Sequence, residues 1–577
     1  MLRPAIVSSY TFHTHSFVAV TKLLRAGPHS LALAARAGPD KRAHSDVPNL
    51  SKKRGTAAAA EEWLNRVYQH REIPMPNTSR LRLIRWPIAS PLGALFPVTE
   101  PDADVREGKQ RDRSNSCISL RTLEAAFDAF SITHGQTLSF HHHYREGDRL
   151  LNAVLSIASR RRIKGLTIAA SSIFDTHAPL AALIEDGTVA NVITDYIRGP
   201  AAEVIRAGRL QGIALLQSHG GRARAISSHQ LKIDVAFVGA SVATRDGNAT
   251  GRIGAAACGP LGYAAVDAAY ARATIVVAHE LRNAPLVLID IPAHFVDAVL
   301  QYDNPGVVSG ISSGTTIPSL SPTARKIASL TADLIEASGM LKQGISLQSG
   351  AGGCSLAAVP IIGERMSQSG VCGSFMSGGI TGAHVAMLKS GLFEEIRDVQ
   401  CFDSAAVASS ASHARHRMMS AAEYASPIHP SPVVNGLTVM LLGAAEVDCA
   451  FNVNVVNGAN GRILGGPGGH PDTAQGAKLS IVTTELTGGG FAKIVPSART
   501  VCTQGEHIDA VVTEVGIAVN PARQDLVEDL RRSGLPLFDI EALQKMAEDL
   551  ATSKPVPMAE APTLFLEHRD GRILDWA

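Results

Sequence analysis

Two glycine-rich turns carry the residue types that could stabilise a developing negative charge. The first, residues 348–353 (QSGAGG), follows a strand-like run and opens a helical one. Gly350, Gly352 and Gly353 let a ligand approach the backbone closely, and the amides at a helix start can hold a phosphate or an oxyanion. No GK[ST] follows and the GxGxxG pattern is incomplete, so a nucleotide-phosphate loop is excluded. The second turn, residues 465–472 (GGPGGHPD), sets Gly468, Gly469 and Asp472 around a histidine, upstream of a buried-looking strand. Just before it, AEVDCAFNVN (445–454) places Glu446 and Asp448 in an apolar run. A carboxylate there is paired or in a cleft, because unpaired burial is costly, unless the run is an edge strand with its acids facing solvent.

The remaining chemistry-bearing residues are histidines and arginines. His141, His142 and His143 are adjacent, so on a strand they point to alternating faces. The usual zinc spacings are absent, and polar substrate contact by His141 and His142 is favoured over metal binding. His219 (QSHGGR) and His177 (FDTHAP) are single candidates, with His219 kept as a substrate contact. Arg145, Arg198, Arg222 and Arg523 offer planar guanidinium forks suited to a polycarboxylate. Gln348 and Asp472 complete the polar set.

Strand–turn–helix–strand units must position these residues. A helix is expected over 116–132, with Leu120, Leu123, Ala126 and Phe127 at helical spacing. Strand 137–140, helix 150–162 and strand 165–173 follow. The second half repeats the plan with strand 345–348, helix 354–370 and strand 373–381, and closes on a βα unit whose helix opens at Pro521. Three short matches recur in order at nearly constant spacing: 137–147 with 345–355, DVAF (234–237) with DCAF (448–451), and ARATIVVAHEL (from Ala271) with AKLSIVTTEL (from Ala477). They predict two related α/β halves with mainly parallel sheets and a site in the cleft between them. The expected divisions are a poorly ordered extension (1–105), a first domain (106–315) and a second (316–577).

Composition sets the outer bounds. The chain has 577 residues, a formal net charge of +2 and 51 glycines. That balance implies neither nucleic-acid binding nor a polybasic membrane contact. The seven cysteines are scattered without CxxC spacing, as reduced thiols rather than a disulfide framework or a zinc site. Residues 1–39 contain no Asp or Glu and several Arg, Ser and Thr; they read as a disordered extension, with an organelle transit peptide as the alternative.

Taken together, SFHHxxRxGD (139–148), LTIAASS (166–172), QSHGGR, KIDVAF, CGxLGYAxVDAxYA (258–271), SLQSGAGGxSLA, GGITG, FNVNV, GGHPDTAxGA and GIAVNPARQDL resemble the citrate lyase alpha-subunit family, the citrate CoA-transferase component. The resemblance runs in order from about residue 107 to the last residue. It implies a duplicated fold of the CoA-transferase (ribose-phosphate isomerase-like) class. It also implies the exchange of acetate for citrate on an acyl-carrier thioester. Further implications are a CoA-like prosthetic arm on a separate carrier (gamma) subunit, cleavage by a beta subunit, and no cofactor bound by this chain. Covalent CoA-transferases carry a nucleophilic Glu where this chain has SGGITGA (377–383), so a ternary route through a mixed anhydride is implied, leaving Glu446 structural or electrostatic. The resemblance implies a cytoplasmic location; the acid-poor start leaves the mitochondrial matrix as the alternative. The competing readings are a CoA-ester hydrolase or another carboxylate CoA-transferase on the same fold, and a ligand-sensing module.

Overall fold

The computed structural model describes residues 117–312, 316–350, 352–558 and 562–577. The expected extension, with its acid-poor start, lies outside the described residues. In the first half, β1 (Ile118–Leu120), β2 (Thr137–Phe140), β3 (Leu166–Ala170), β4 (Val189–Thr194), β5 (Ala214–Leu216), β6 (Val235–Thr244), β8 (Ala273–Arg282) and β9 (Ala298–Gln301) form one sheet, with β7 (Ala249–Thr250) folded back on β6. Its order is β1-β9-β8-β6-β2-β3-β4-β5, and every neighbouring pair along that path is parallel.

The second sheet repeats this plan. It contains β10 (Leu347–Ser349), β11 (Gly373–Ile380), β12 (Phe393–Cys401), β13 (His416–Met418) and β14 (Val439–Leu442). After β14 a small sheet intervenes, made of β15 (Glu446–Asp448), β16 (Val453–Asn454) and, later in the chain, β20 (Ile494–Val495). The main sheet resumes with β17 (Leu479–Thr483). A hairpin of β18 (Thr487–Gly488) and β19 (Phe491–Ala492) precedes β21 (Ala510–Val512) and β22 (Ile517–Val519). The order is β13-β12-β11-β10-β14-β17-β21-β22. Every residue of β3, β14, β17 and β21 is buried, as expected for parallel strands covered on both faces.

In each sheet the chain steps outward through four strands, returns beside the first, and continues the other way. The carboxyl ends of β2 and β6, and of β10 and β14, therefore diverge, and ligands bind at such switch points. One buried cluster joins Val238, Val276 and Val299 of the first sheet to Leu347, Leu441 and Ile481 of the second. The halves thus share a core.

Two of the three internal matches coincide with this topology: β2 with β10 and β8 with β17. The third does not. DVAF leads into β6, whose counterpart is β14, whereas DCAF ends β15 and enters a turn of the inserted small sheet. Two local expectations also change. Ile118–Leu120 form an edge strand on β9, and the helix covers only Leu123–Ala129, capped by the Thr122 hydroxyl. At the other end, β21 and β22 pair antiparallel and the helix begins at Gln524, because Thr513–Gly516 make a tight turn, with Thr513 N–H donating to Gly516 O at 2.9 Å.

The chain finishes on the first sheet. β23 (Phe565–Glu567) runs parallel to β5 and pairs antiparallel with β24 (Ile573–Trp576). The Glu567 carboxylate accepts from Arg224 at 2.8 Å and from Gln217 at 2.9 Å. Arg569 donates to Ala425 O at 2.8 Å and lies 3.5 Å from Asp472.

Candidate active site

The carboxyl ends of both sheets open onto one cavity of about 650 Å3. Its wall takes His142 and Arg145 from just past β2, His219 from just past β5, Gln348 from β10, and Gly379 and Gln400 near the ends of β11 and β12. Gln400 crosses between the halves, donating to His142 O at 2.9 Å. Among the described lining residues there is no Asp, Glu or Cys, while two cations, Arg145 and Lys493, face in.

Arg145 is buried and fixed by its surroundings. Its φ is +53°, a left-handed backbone uncommon outside glycine. The guanidinium lies between the rings of Phe174 (5.3 Å) and Phe402 (5.0 Å). Burial pushes its pKa down to about 10, and its Nε has no hydrogen-bond partner among the described residues. A desolvated cation without a carboxylate partner favours an incoming anion. Lys493, on the segment after the β18–β19 hairpin, is also depressed by burial.

Behind the wall lies a charged scaffold. Arg222, fully buried, grips Asp267 with both guanidinium nitrogens (2.8 and 2.6 Å) and donates to Ala169 O at 3.0 Å. His141 Nε2 lies 3.0 Å from the same carboxylate. Despite burial, Arg222 first and His141 after it hold Asp267 well below the usual carboxylate range. His142, on the cavity side, is 2.5 Å from Ser171 Oγ, and burial pushes its pKa well down. Burial takes His143 to about 3. Asp472 accepts from Ser218 Oγ and Gly220 N, both at 2.8 Å.

The structure therefore gathers Arg145, His142, His219, Gln348, Gly350, Gly352, Gly468 and Gly469 at the cavity. Gly353 begins the adjoining helix and packs on Ser319. His141, Arg222 and Asp472 stand behind the wall. Arg198 pairs with Glu146 and with Asp175 (3.1 Å), His177 braces Asp148 at 3.2 Å, and Arg523 is held by Asp509 and Asp525. Glu446 does not line the cavity. It is buried, and its carboxylate accepts from Asn454 (2.9 Å) and Arg499 N (3.0 Å), joining β15 to the 498–499 segment.

The two turns meet across the cavity. Gly350 N donates to Leu441 O (2.7 Å) and Gly468 N to Asp195 O (3.2 Å), so those amides are occupied. Gly352 is the N-cap residue of the helix Gly353–Gln368, whose first-turn amides lack intrahelical partners; at the second turn Gly469 caps the helix His470–Gly476, where His470 N is taken by Pro467 O (2.9 Å) and Pro471 has no N–H. His470 itself is structural, bonded to Thr503 Oγ1 (2.7 Å) and Gly443 O (3.0 Å), with burial taking its pKa to about 4.

Several residues at the wall or just behind it escape a reading by motif. Tyr196, Phe402, Tyr424 and Lys493 at the wall, and Asp195 behind it, sit in unremarkable local sequence, while Tyr263 lies inside CGxLGYAxVDAxYA without being singled out; only the polar interruption in ITDY hinted at Asp195. Among the described residues one group has metal-ligating types in reach, Asp398, Cys401 and His416. It is sealed from solvent and internally bonded, His416 to Asp398 at 2.9 Å and Cys401 to Asp398 at 3.1 Å.

Comparison with known proteins bears on this arrangement. Residues 117–577 match the family described as Citrate lyase, alpha subunit (CitF). The citrate lyase alpha chain of Klebsiella pneumoniae is 40% identical over 456 residues, covering 79% of this chain and 90% of that one. The Escherichia coli alpha chain is 38% identical over 477 residues, covering 82% and 92%. A solved structure described as a citrate lyase alpha subunit from Streptococcus mutans in complex with citrate superposes with a TM-score of 0.79 at 38% identity, covering 82% of this chain and 93% of that one. A Pseudomonas malonate decarboxylase hetero-tetramer shares the fold alone (TM-score 0.55, 18% identity, covering 77% of this chain and 85% of that one).

Proposed function

Since the chain belongs to the citrate lyase alpha-subunit family, we propose that its cavity seats citrate against Arg145 and receives the thioester of a carrier arm beside the two glycine turns. The chain is the citrate transferase component of citrate lyase, an enzyme that exchanges acetate for citrate on an acyl-carrier thioester. The observation that carries the site assignment is the acid-free wall. A tricarboxylate meets guanidinium, ammonium and imidazole there, and no repelling carboxylate.

The same absence shapes the route. With no carboxylate among the described residues of the wall, citrate itself attacks the acetyl thioester. Its carboxylate oxygen bonds to the thioester carbon, the C–S bond breaks with its electron pair passing to the carrier sulfur, and an acetyl–citryl anhydride results. That sulfur then attacks the citryl carbonyl and acetate leaves. Each addition passes through an oxyanion, which the first-turn amides beyond Gly352 stabilise from fixed positions. Binding both reactants in one cavity replaces a bimolecular encounter.

The chain works within a multi-subunit citrate lyase. In our reading its neighbours are a carrier (gamma) subunit with a CoA-like arm and a beta subunit that cleaves the citryl thioester, the assembly is cytoplasmic, and no cofactor resides in this chain. The relatives are bacterial, and among the described residues no helix is long and apolar enough to cross a membrane. The domain division at 315/316 is likewise part of the proposal.

An exchange assay with labelled citrate tests this. Acetyl-carrier protein and acetyl-CoA serve as alternative donors, and acetate and citryl thioester are followed together. Equal amounts of both products support the reading; acetate without citryl thioester means hydrolysis and overturns it.

A further inference from the structure

His219 opens a helix (His219–Ser227) at the carboxyl end of β5, after the Ser218 cap. Its Nδ1 lies 2.8 Å from Asp195 Oδ2, and Asp195 is fully buried at the end of β4. The second carboxylate oxygen, Oδ1, has no hydrogen-bond partner among the described residues, so the imidazole is this carboxylate's main partner. The other ring nitrogen, Nε2, faces the cavity beside the second glycine turn, where a Cβ on Gly468 would lie 3.4 Å from it. The turn is fastened to the same pair: His219 N donates to Gly468 O (2.9 Å) and Gly468 N to Asp195 O (3.2 Å). The arrangement is a buried carboxylate, an imidazole fixed by it, and a free nitrogen facing the cavity beside the second glycine turn.

We propose that His219 is the proton carrier of the exchange, protonating the departing carrier sulfur and taking that proton back in the second half-reaction, with Asp195 as its positioning residue. This rests on the transferase reading above. In the first half-reaction the C–S bond breaks and the electron pair goes to sulfur. Nε2–H gives its proton to that sulfur, leaving a thiol, a neutral imidazole and the mixed anhydride. In the second, the thiol attacks the citryl carbonyl, its proton returns to Nε2, and acetate leaves. The proton count closes over the cycle. Without the transfer an unpaired thiolate would stand in a desolvated cavity, which is costly.

The surroundings favour His219 over its neighbours. His470 has both ring nitrogens occupied. His142 is held neutral by burial, with His143, His219 and Arg145 adding to the effect. The groups facing His219 are Asp195 from β4, the Tyr263 ring at 4.7 Å, the Tyr424 ring at 6.4 Å, His142 past β2 and Asp472 on the helix His470–Gly476; Arg222 and Asp267 lie behind Asp195.

The test is the exchange rate against pH in the intact complex, with the carrier thioester as donor. The wild type is expected to show an alkaline limb in kcat. His219→Gln lowers kcat by roughly 10²–10³-fold and removes that limb, with citrate KM within about threefold of wild type. The near-isosteric Asp195→Asn displaces the limb, since the carboxylate that positions the imidazole at 2.8 Å is gone. An alkaline limb unchanged in both variants, or a raised citrate KM with kcat intact, overturns the proposal while leaving the transferase reading in place. Absence of exchange in the wild type itself would instead strike at that reading.

Discussion

At the scale of single residues, burial and pairing sort the charged groups into two kinds. Arg222 is fully buried yet bound to Asp267, so it is scaffold. Arg145 is buried, sandwiched by two rings and without a carboxylate partner among the described residues, so it is the group we assign to citrate. Arg145→Lys removes the planar fork, and a hydrogen bond to a charged group is worth about 1.5–3 kcal/mol. Citrate KM should rise about 10–100-fold on that basis, measured by steady-state exchange at fixed thioester. Glu446 provides the opposite case. Its carboxylate holds Asn454 and the Arg499 amide, which a glutamine oxygen can also accept from in part. Glu446→Gln should keep kcat within about tenfold of wild type while lowering the melting temperature. A hydroxylamine-trappable thioester on Glu446, lost in the variant together with all exchange, would contradict this. The sequence showed that Arg145 and Arg222 were both of the right type. It could not show which one has a buried acid beside it, because Asp267 arrives from a helix 45 positions away.

At the scale of elements, the repeated strand–turn–helix plan was legible because parallel strands buried on both faces read as short apolar runs bounded by glycine. That signal located β2, β3, β10 and β11 and both glycine turns to within a few residues. It failed where a strand is short and at an edge, as in β1, and where a tight antiparallel return imitates a βα unit, as in β21–β22. The second glycine turn shows what the elements contribute beyond their motifs. Gly466 lies so close to the β4 end that a Cβ would sit 2.3 Å from Asp195 O, within the radius of a covalently unlinked atom. Gly466→Ala must therefore displace the turn and, with it, Gly468 and the Asp195–His219 pair. Exchange is expected to fall by about 10²-fold or more, since small misplacements of catalytic groups carry costs of that size. Gly436→Ala is the matched control, its nearest neighbour being Phe375 at 3.6 Å, and it should leave the rate unchanged. Equal rates in the two variants would show that the turn does not position the site.

At the scale of the whole molecule, two halves share one core and one cavity, and the price of that closure is a set of polar groups held away from water. Sequence predicted the cleft between halves; it could not foresee that β23 closes the first sheet from the far end of the chain, because its partner strand β5 lies some 350 positions earlier. The buried histidines make this closure sensitive to acid. Burial holds His143 at about 3 and His384 and His470 at about 4, each below the ordinary histidine value. The unfolded chain therefore binds more protons than the native one between about pH 6.5 and those values, and stability must fall as pH drops through that window. The limiting slope is about 1.4 kcal/mol per pH unit for each such histidine. Asp267, held low by Arg222, acts in the same direction only below the ordinary carboxylate range, near pH 4 and under. The two contributions separate by pH. The melting temperature should already decline between about pH 6.5 and 5, where carboxylates remain ionised. His470→Gln keeps hydrogen-bonding atoms facing Thr503 and Gly443 and removes one titrating group. Its melting temperature should be lower than wild type at pH 7, yet should fall less steeply on acidification; parallel curves for the two proteins would show that His470 is not held neutral by burial.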